Sequence, residues 1–339
     1  MTSISEMPEL VMEKIIGFSD FKAVLTLRQV CSDFRKFVDD LKDSRLPDSK
    51  FAKIEIVSDK KENKIILDFV NSDDSFYRIE YSESTNSRKF QETTKLFQNS
   101  NIVDVAIRDL ELILKFQKST LEWIYFTFKD SQLQNDSSIH TLPFKLSNMF
   151  RASGRQIKAR QFITKTSDKS QMMSVLPIAD PETLRILNLY SLDDDEVMEI
   201  ELDEIVKTEQ WKNAERINCG LHVLNLKIED VSHFSRISIK LPSITARDLD
   251  FLKKTFTSSS KFEHAFLDLK IFNENEEISN LWGPAFISGS SSRWYFRMKN
   301  SEEKVLRIEF CYILQFFFFE IIGPRDVLTG ASVQDYNEN

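Results

Sequence analysis

A short apolar frame, Leu-x-x-Leu-x-Leu in its cleanest form, returns along the middle of this 339-residue chain and narrows the folds open to it. It reads Leu121-x-x-Ile124-x-Phe126, Leu184-x-x-Leu187-x-Leu189 and Phe234-x-x-Ile237-x-Ile239, with looser copies at Ala214-x-x-Ile217-x-Cys219 and Phe262-x-x-Ala265-x-Leu267. Starts at 184, 214, 234 and 262 lie 30, 20 and 28 residues apart, uneven but within the range of stacked-repeat proteins. Leu221-x-x-Leu224-x-Leu226 also fits, yet it falls between two frames and reads as a connection. Helical stripes fill the intervals. Ile107, Leu110 and Leu114 precede the strand near 124, and Leu202, Ile205, Val206 and Trp211 precede the strand near 217. Thr245-Ala246-Arg247-Asp248 resembles a capping box ahead of Leu249, Leu252 and Phe256. Helix and strand in alternation imply parallel strands joined by right-handed crossovers, hence a curved solenoid with its strands along one wall. Such a wall usually binds.

The N-terminus follows a different pattern. Pro8 takes a first-turn position, and Val11 to Ile15 and Met12 to Ile16 repeat at four residues, which predicts a first helix. Ser19-Asp20 offers an N-cap to a second, with Phe21, Val24, Leu25 and Leu27, and Phe34, Phe37, Val38 and Leu41 mark a third. Helices this short are marginal alone and carry more apolar surface than so small a unit can bury. Met7-Pro8-Glu9-Leu10, Ile15-Ile16 and Leu27-Arg28-Gln29-Val30-Cys31 resemble an F-box, with Met7 in place of the usual Leu and Phe34 near a common Trp position. The resemblance implies a surface for the Skp-type adaptor of cullin-RING ubiquitin ligases. Carried over by position, its residues are Met7, Pro8, Leu10, Val11, Ile15, Ile16, Leu25, Val30 and Cys31. Cys31, in an apolar setting, also reads as a buried structural thiol.

After Pro47 the residues alternate: Phe51, Ile54 and Ile56; Ile65, Leu67 and Phe69; Phe76, Ile79 and Tyr81. Polar turns at 59–63 and 71–75 separate them into a three-stranded meander. Three further stretches, Lys115-Phe116-Gln117-Lys118-Ser119-Thr120-Leu121, Ser174-Val175-Leu176-Pro177-x-x-Asp180-Pro181-Glu182-Thr183-Leu184 and Glu209-Gln210-Trp211-Lys212-Asn213-Ala214, are similar to the FTH domain. That domain follows the F-box in a large nematode family, the F-box A proteins, and the resemblance spans roughly 90 to 275. It implies a module that recruits a protein substrate. Near the end, 293–299 and 305–310 flank a 300–304 turn as a hairpin. The run from Phe310 to Ile322 is too short for a membrane span of roughly 20 residues and is interrupted by Gln315 and Glu320, so a buried terminal strand is expected.

Composition removes several classes of chemistry. A formal charge of -8 opposes a general nucleic-acid binder. Seven glycines in 339 residues is about 2%, against a usual share of roughly 7%, and no phosphate-cradling loop is present. Cys31, Cys219 and Cys311 form an odd, scattered set that favours a reducing compartment, the cytosol or nucleus. The first eight residues lack a signal-peptide pattern, so Asn135-Asp136-Ser137 is a sequon without consequence. Cys219, His222 and His233 would give zinc three ligands and no fourth, and Cys219 reads instead as a repeat-core thiol. The acidic run Asp193-Asp194-Asp195-Glu196, with Glu199, Glu201, Asp203 and Glu204, lacks the glycine and ligand spacing of a calcium loop and reads as a solvated loop and helix start. Gly289-Ser290-Ser291-Ser292 lacks the second glycine of a nucleophile elbow.

The expectation is therefore an α/β chain in four segments. A three-helix F-box (1–47) leads to a small β-meander (48–89), then a leucine-rich-repeat-like αβ solenoid of FTH type (90–275), then a C-terminal hairpin and tail (276–339). No catalytic residues, cofactor or metal are expected. Function is expected in a Skp-cullin-F-box ubiquitin ligase, with the adaptor, and through it a cullin, at one end and an unknown protein substrate at the other; a repeat-type binding module without ligase association is the alternative.

Overall fold

The computed structural model describes residues 7–129, 137–192, 198–299 and 301–335. The acidic run at 193–196 and the Asn135-Asp136 part of the sequon lie outside the described residues. Contacts divide the chain into two units, 1–160 with 178–183, and 161–177 with 184–339.

The first unit opens with three short helices, α1 (Glu9–Phe18), α2 (Phe21–Val30) and α3 (Ser32–Asp40). Pro8 stands one place before α1, where its missing N–H costs nothing, and its carbonyl accepts from Val11 at 2.9 Å. The Asp20 carboxylate caps α2 by accepting from the Ala23 N–H at 2.7 Å. Arg28 of α2 grips Asp39 of α3 through two parallel bonds of 2.6 and 2.9 Å. Ile16, Val24, Val38, Leu41 and Leu46 close into a core with Phe116, which comes from far along the chain.

An antiparallel meander follows: β1 (Phe51–Asp59), β2 (Lys64–Asn71), β3 (Phe76–Ser82), β4 (Ser87–Phe90) and β5 (Thr93–Leu96). The three expected strands are present; β4 and β5 extend them. Helix α4 (Ile102–Leu114), capped by Asn101 on the Val103 N–H at 2.9 Å, returns the chain to β6 (Leu121–Lys129), which pairs parallel with β1. Tyr81 reaches from β3 to Asp109 of α4 at 2.9 Å, and Arg88 of β4 meets the same carboxylate at 2.8 Å. Burial, then the neighbouring Asp109 charge, pushes the Tyr81 phenol far above its ordinary pKa. After the described segment resumes, α5 (Leu142–Ser153) ends on Gly154 at φ +60, a left-handed stop that suits glycine.

The second unit takes up the frame. Strand β7 (Ala159–Thr166) starts at the boundary between units, and α6 (Lys169–Val175) follows. Strands β8 (Ile186–Tyr190), β10 (Arg216–Val223), β11 (Arg236–Leu241) and β12 (His264–Leu269) stack in parallel, with the two-residue β9 (Glu199–Ile200) beside the far end of β10. Side chains on one face form a continuous buried row: Phe162, Leu187, Ile217, Ile237 and Ala265, each opposite the next. Crossovers are leaner than expected. A 3-10 turn and the five-residue α7 (Glu209–Asn213) stand where Leu202 to Trp211 predicted a helix, and only a 3-10 turn joins β10 to β11. The expected capping box is present in α8 (Ala246–Ser258), where Thr245 and Asp248 cap each other reciprocally. Leu221 belongs to β10 itself and is buried, while Leu224 lies beyond the strand and is exposed.

The unit ends in four antiparallel strands and a two-residue strand that runs parallel to the second of them. After α9 (Asn275–Trp282) come β13 (Phe286–Ser288), β14 (Ser291–Met298), β15 (Ser301–Cys311), β16 (Phe316–Ile322) and β17 (Val333–Gln334). The hairpin turn is tighter than 300–304, since Met298 already faces Ser301. The phenylalanine run becomes β16, inserted between β15 and β12, with Phe317 and Phe319 buried. Among the described residues no helix is long and apolar enough to cross a membrane.

Candidate functional site

Two surfaces could serve a binding protein, one in each unit. In the first, α1 and the end of α2 present an uncovered apolar face. Leu10 is 64%, Val30 64% and Phe18 91% exposed, with Met7, Val11 and Ile15 near 40% and Pro8 open as well. Leu25 and Cys31 are half-buried, so Cys31 is not the fully buried thiol its setting suggested. Ile16 is 1% exposed and points inward, where it supports the face from below. Consecutive helical residues project about 100° apart, which is how Ile15 stays outside while Ile16 seals the core. Met7 and Met12 line a shallow cleft with Phe34 and Phe37. Ser19 ends α1 by bonding the Ile15 carbonyl through both its N–H, at 3.1 Å, and its hydroxyl, at 2.7 Å. This holds Ile15 in the last turn.

The platform beneath is fixed by Gln117. Its amide oxygen accepts from the Ser49 hydroxyl at 2.5 Å and the Phe51 N–H at 3.1 Å, while its nitrogen donates to the Phe51 and Ser119 carbonyls. Asp48 accepts from the backbone of Lys50 and Lys118; burial opposes its charge, but these N–H donors prevail and hold its pKa below the ordinary value. The Lys115-to-Leu121 stretch is thus a structural clasp.

In the second unit the strand face opposite the buried row is polar and aromatic. Asn188, which is buried, and the half-buried Asn218, Ser238, Phe266 and Phe318 stand in register across five strands, and Asn218 donates to Asn188 at 2.7 Å. Phe266 meets Phe316 at 5.1 Å. Sequence reading passed over these residues, although four of them occupy the x between the last two apolar positions of the frame. Glu263 pairs with Arg236 and, at 3.7 Å, with Arg216; its bond from Arg236 lowers the carboxyl pKa.

The zinc candidates do not converge. Cys219 faces the core, burial pushes its thiol up to about 12, and His222 projects from the other face of β10. Between them Gly220 marks a register shift, where a Cβ would lie 3.2 Å from the Tyr190 ring. His233 donates to the Trp211 carbonyl at 3.1 Å, and Trp211 packs edge-on against Phe234 at 5.1 Å. Among the described residues no His, Cys, Asp and Glu cluster could hold a metal.

Comparison with known proteins matches both surfaces to domains. An F-box domain model covers residues 4–46 and an FTH domain model covers 144–284, a range that excludes the Lys115 stretch and includes β7 to β12. A Caenorhabditis elegans protein described as F-box A protein 224 is 19% identical over 319 residues, covering 90% of this chain and 76% of that one. No solved structure matches the chain. Both domains are non-catalytic modules of protein–protein interaction, and F-box domains generally bind Skp-type adaptors. What the two surfaces describe is a protein-interaction chain built from an N-terminal F-box domain followed by an FTH domain.

Proposed function

We propose that this chain is the substrate receptor of a Skp-cullin-F-box ubiquitin ligase. Residues of the 1–47 module dock the adaptor, and the FTH region selects a protein target in a reducing compartment, cytosol or nucleus. One observation carries the reading: Leu10, Val11, Ile15 and Val30 stay exposed on short helices whose inner faces are already packed. An apolar face left open on a finished core marks an interaction site. The chain supplies proximity. Holding a target beside the charged conjugating enzyme raises effective concentration, which accelerates lysine modification without a catalytic residue here.

The test is co-purification with a Skp-type adaptor. A one-to-one complex is expected, and Ile15→Asp should abolish it while thermal unfolding stays unchanged. Absence of a complex at micromolar concentration would reject the ligase reading and leave a binding module without ligase association.

A further inference from the structure

A concave pocket of about 280 Å³ opens in the first unit between the end of the F-box helices and the segment that follows α5. Lys115 and Lys118 come from the turn after α4, Arg155 and Lys158 from the approach to β7, and Asp43 and Ser44 from the stretch after α3. Four basic residues and one acidic residue thus line the pocket, in a chain whose formal charge is -8. The ammonium groups are positioned by backbone: Lys115 donates to the Asp39 carbonyl at 3.1 Å and Lys118 to the Ser44 carbonyl at 3.0 Å. An ammonium has three donors, and these bonds use one each. Arg155 donates to Asp43 from a single nitrogen, and burial holds its guanidinium below the ordinary pKa. Lys158 stands exposed at the rim.

Nearby carboxylates do not neutralise this wall. Asp39 is held by Arg28, and Asp48 by the backbone N–H groups of Lys50, Lys118 and Ser119. Unspent donors on a guanidinium and on ammonium groups, in a confined cleft, match a ligand with several charged oxygens close together. The volume lies just below the usual range of ligand sites, roughly 300–1,000 Å³, which selects a compact molecule.

We propose that this pocket binds a compact small molecule bearing several phosphate groups, held by Lys115, Lys118, Arg155 and Lys158. Occupancy ties the chain just after the F-box to the start of β6 and to 155–158, so the ligand stiffens the F-box on its own platform. The experiment is calorimetric titration of the full chain with tripolyphosphate, inorganic phosphate and a phosphoserine peptide. Saturable one-site binding of tripolyphosphate is expected, tighter than either comparison ligand and weaker as salt rises toward about 0.15 M. Lys158→Glu and, separately, Lys115→Gln should each weaken it about tenfold or more, with circular dichroism and unfolding temperature in the absence of ligand unchanged in Lys158→Glu. No saturable binding, or an affinity in both variants unchanged from that of the unsubstituted chain, would overturn the proposal. Tighter binding of the phosphoserine peptide would overturn the assignment to a small molecule.

Discussion

The F-box helices and the repeat strands use the same aliphatic residues to opposite ends. In the strands, Leu187, Ile217 and Ile237 sit at 1% exposure or less, opposite one another in one row. On α1 and α2, Leu10, Val11 and Val30 have a comparable apolar character and stand in solvent. The contrast separates residues whose burial is completed by folding from residues whose burial waits for another chain. A hydrophobic residue therefore indicates core or interface only after its face has been identified.

That contrast yields tests of decreasing size. Leu187→Ala removes a side chain buried on all sides and should cost about 2–5 kcal/mol in urea unfolding; a loss under about 1 kcal/mol would show that the row is not the core of the second unit. Acidification comes next. Burial lowers the pKa of His222, His233 and His264 below the ordinary 6.5, so the unfolded chain binds more protons as pH falls. The second unit should hold its full histidine contribution above about pH 6.5 and lose it as pH drops toward the folded values. The F-box contains no histidine. A urea midpoint that falls between pH 7.5 and 5.5, with the fall reduced in His233→Gln, would support this; an unchanged midpoint would contradict it. Thiol labelling separates the regions again. At pH 8 iodoacetamide should modify half-buried Cys31 and leave Cys219 intact until unfolding, as peptide mass analysis would report. Smallest in stability is Leu10→Ser, expected to shift unfolding by no more than about 0.5 kcal/mol while weakening adaptor capture sharply. A large loss of stability would move Leu10 from interface to core.

Much of this was legible in the sequence, for identifiable reasons. Each frame places two apolar residues two apart, and burial of that pair dictates a strand whatever the connection. The Thr245 capping box is local chemistry and reads directly. Strands β4 and β5 were not legible, because Ser87-Arg88-Lys89-Phe90 and Thr93-Thr94-Lys95-Leu96 are short, polar and without alternation. The helix expected from Leu202 to Trp211 shortened because Thr208 starts a new helix, its hydroxyl accepting from the Trp211 N–H at 3.2 Å. On α1 the candidate residues were legible as a set, but the division between outward Ile15 and inward Ile16 depends on Val24, Val38 and distant Phe116. The ladder from Asn188 to Phe318 was hidden for a similar reason, since only strand register aligns residues so far apart.

Strand β16 bears on how this chain can be handled in pieces. It hydrogen-bonds along β12, with Phe317 opposite Leu267 and Phe319 opposite Ala265, and so covers the β12 edge of the parallel strands. A fragment trimmed to the FTH match at 284 would keep β12 and lose its neighbour. Its unpaired N–H and C=O groups, beside Leu267 and Leu269, would then be free to recruit another copy. The limit of the FTH match and the limit of a fragment that keeps the β12 edge paired fall at different residues, and the second lies no earlier than Ile322.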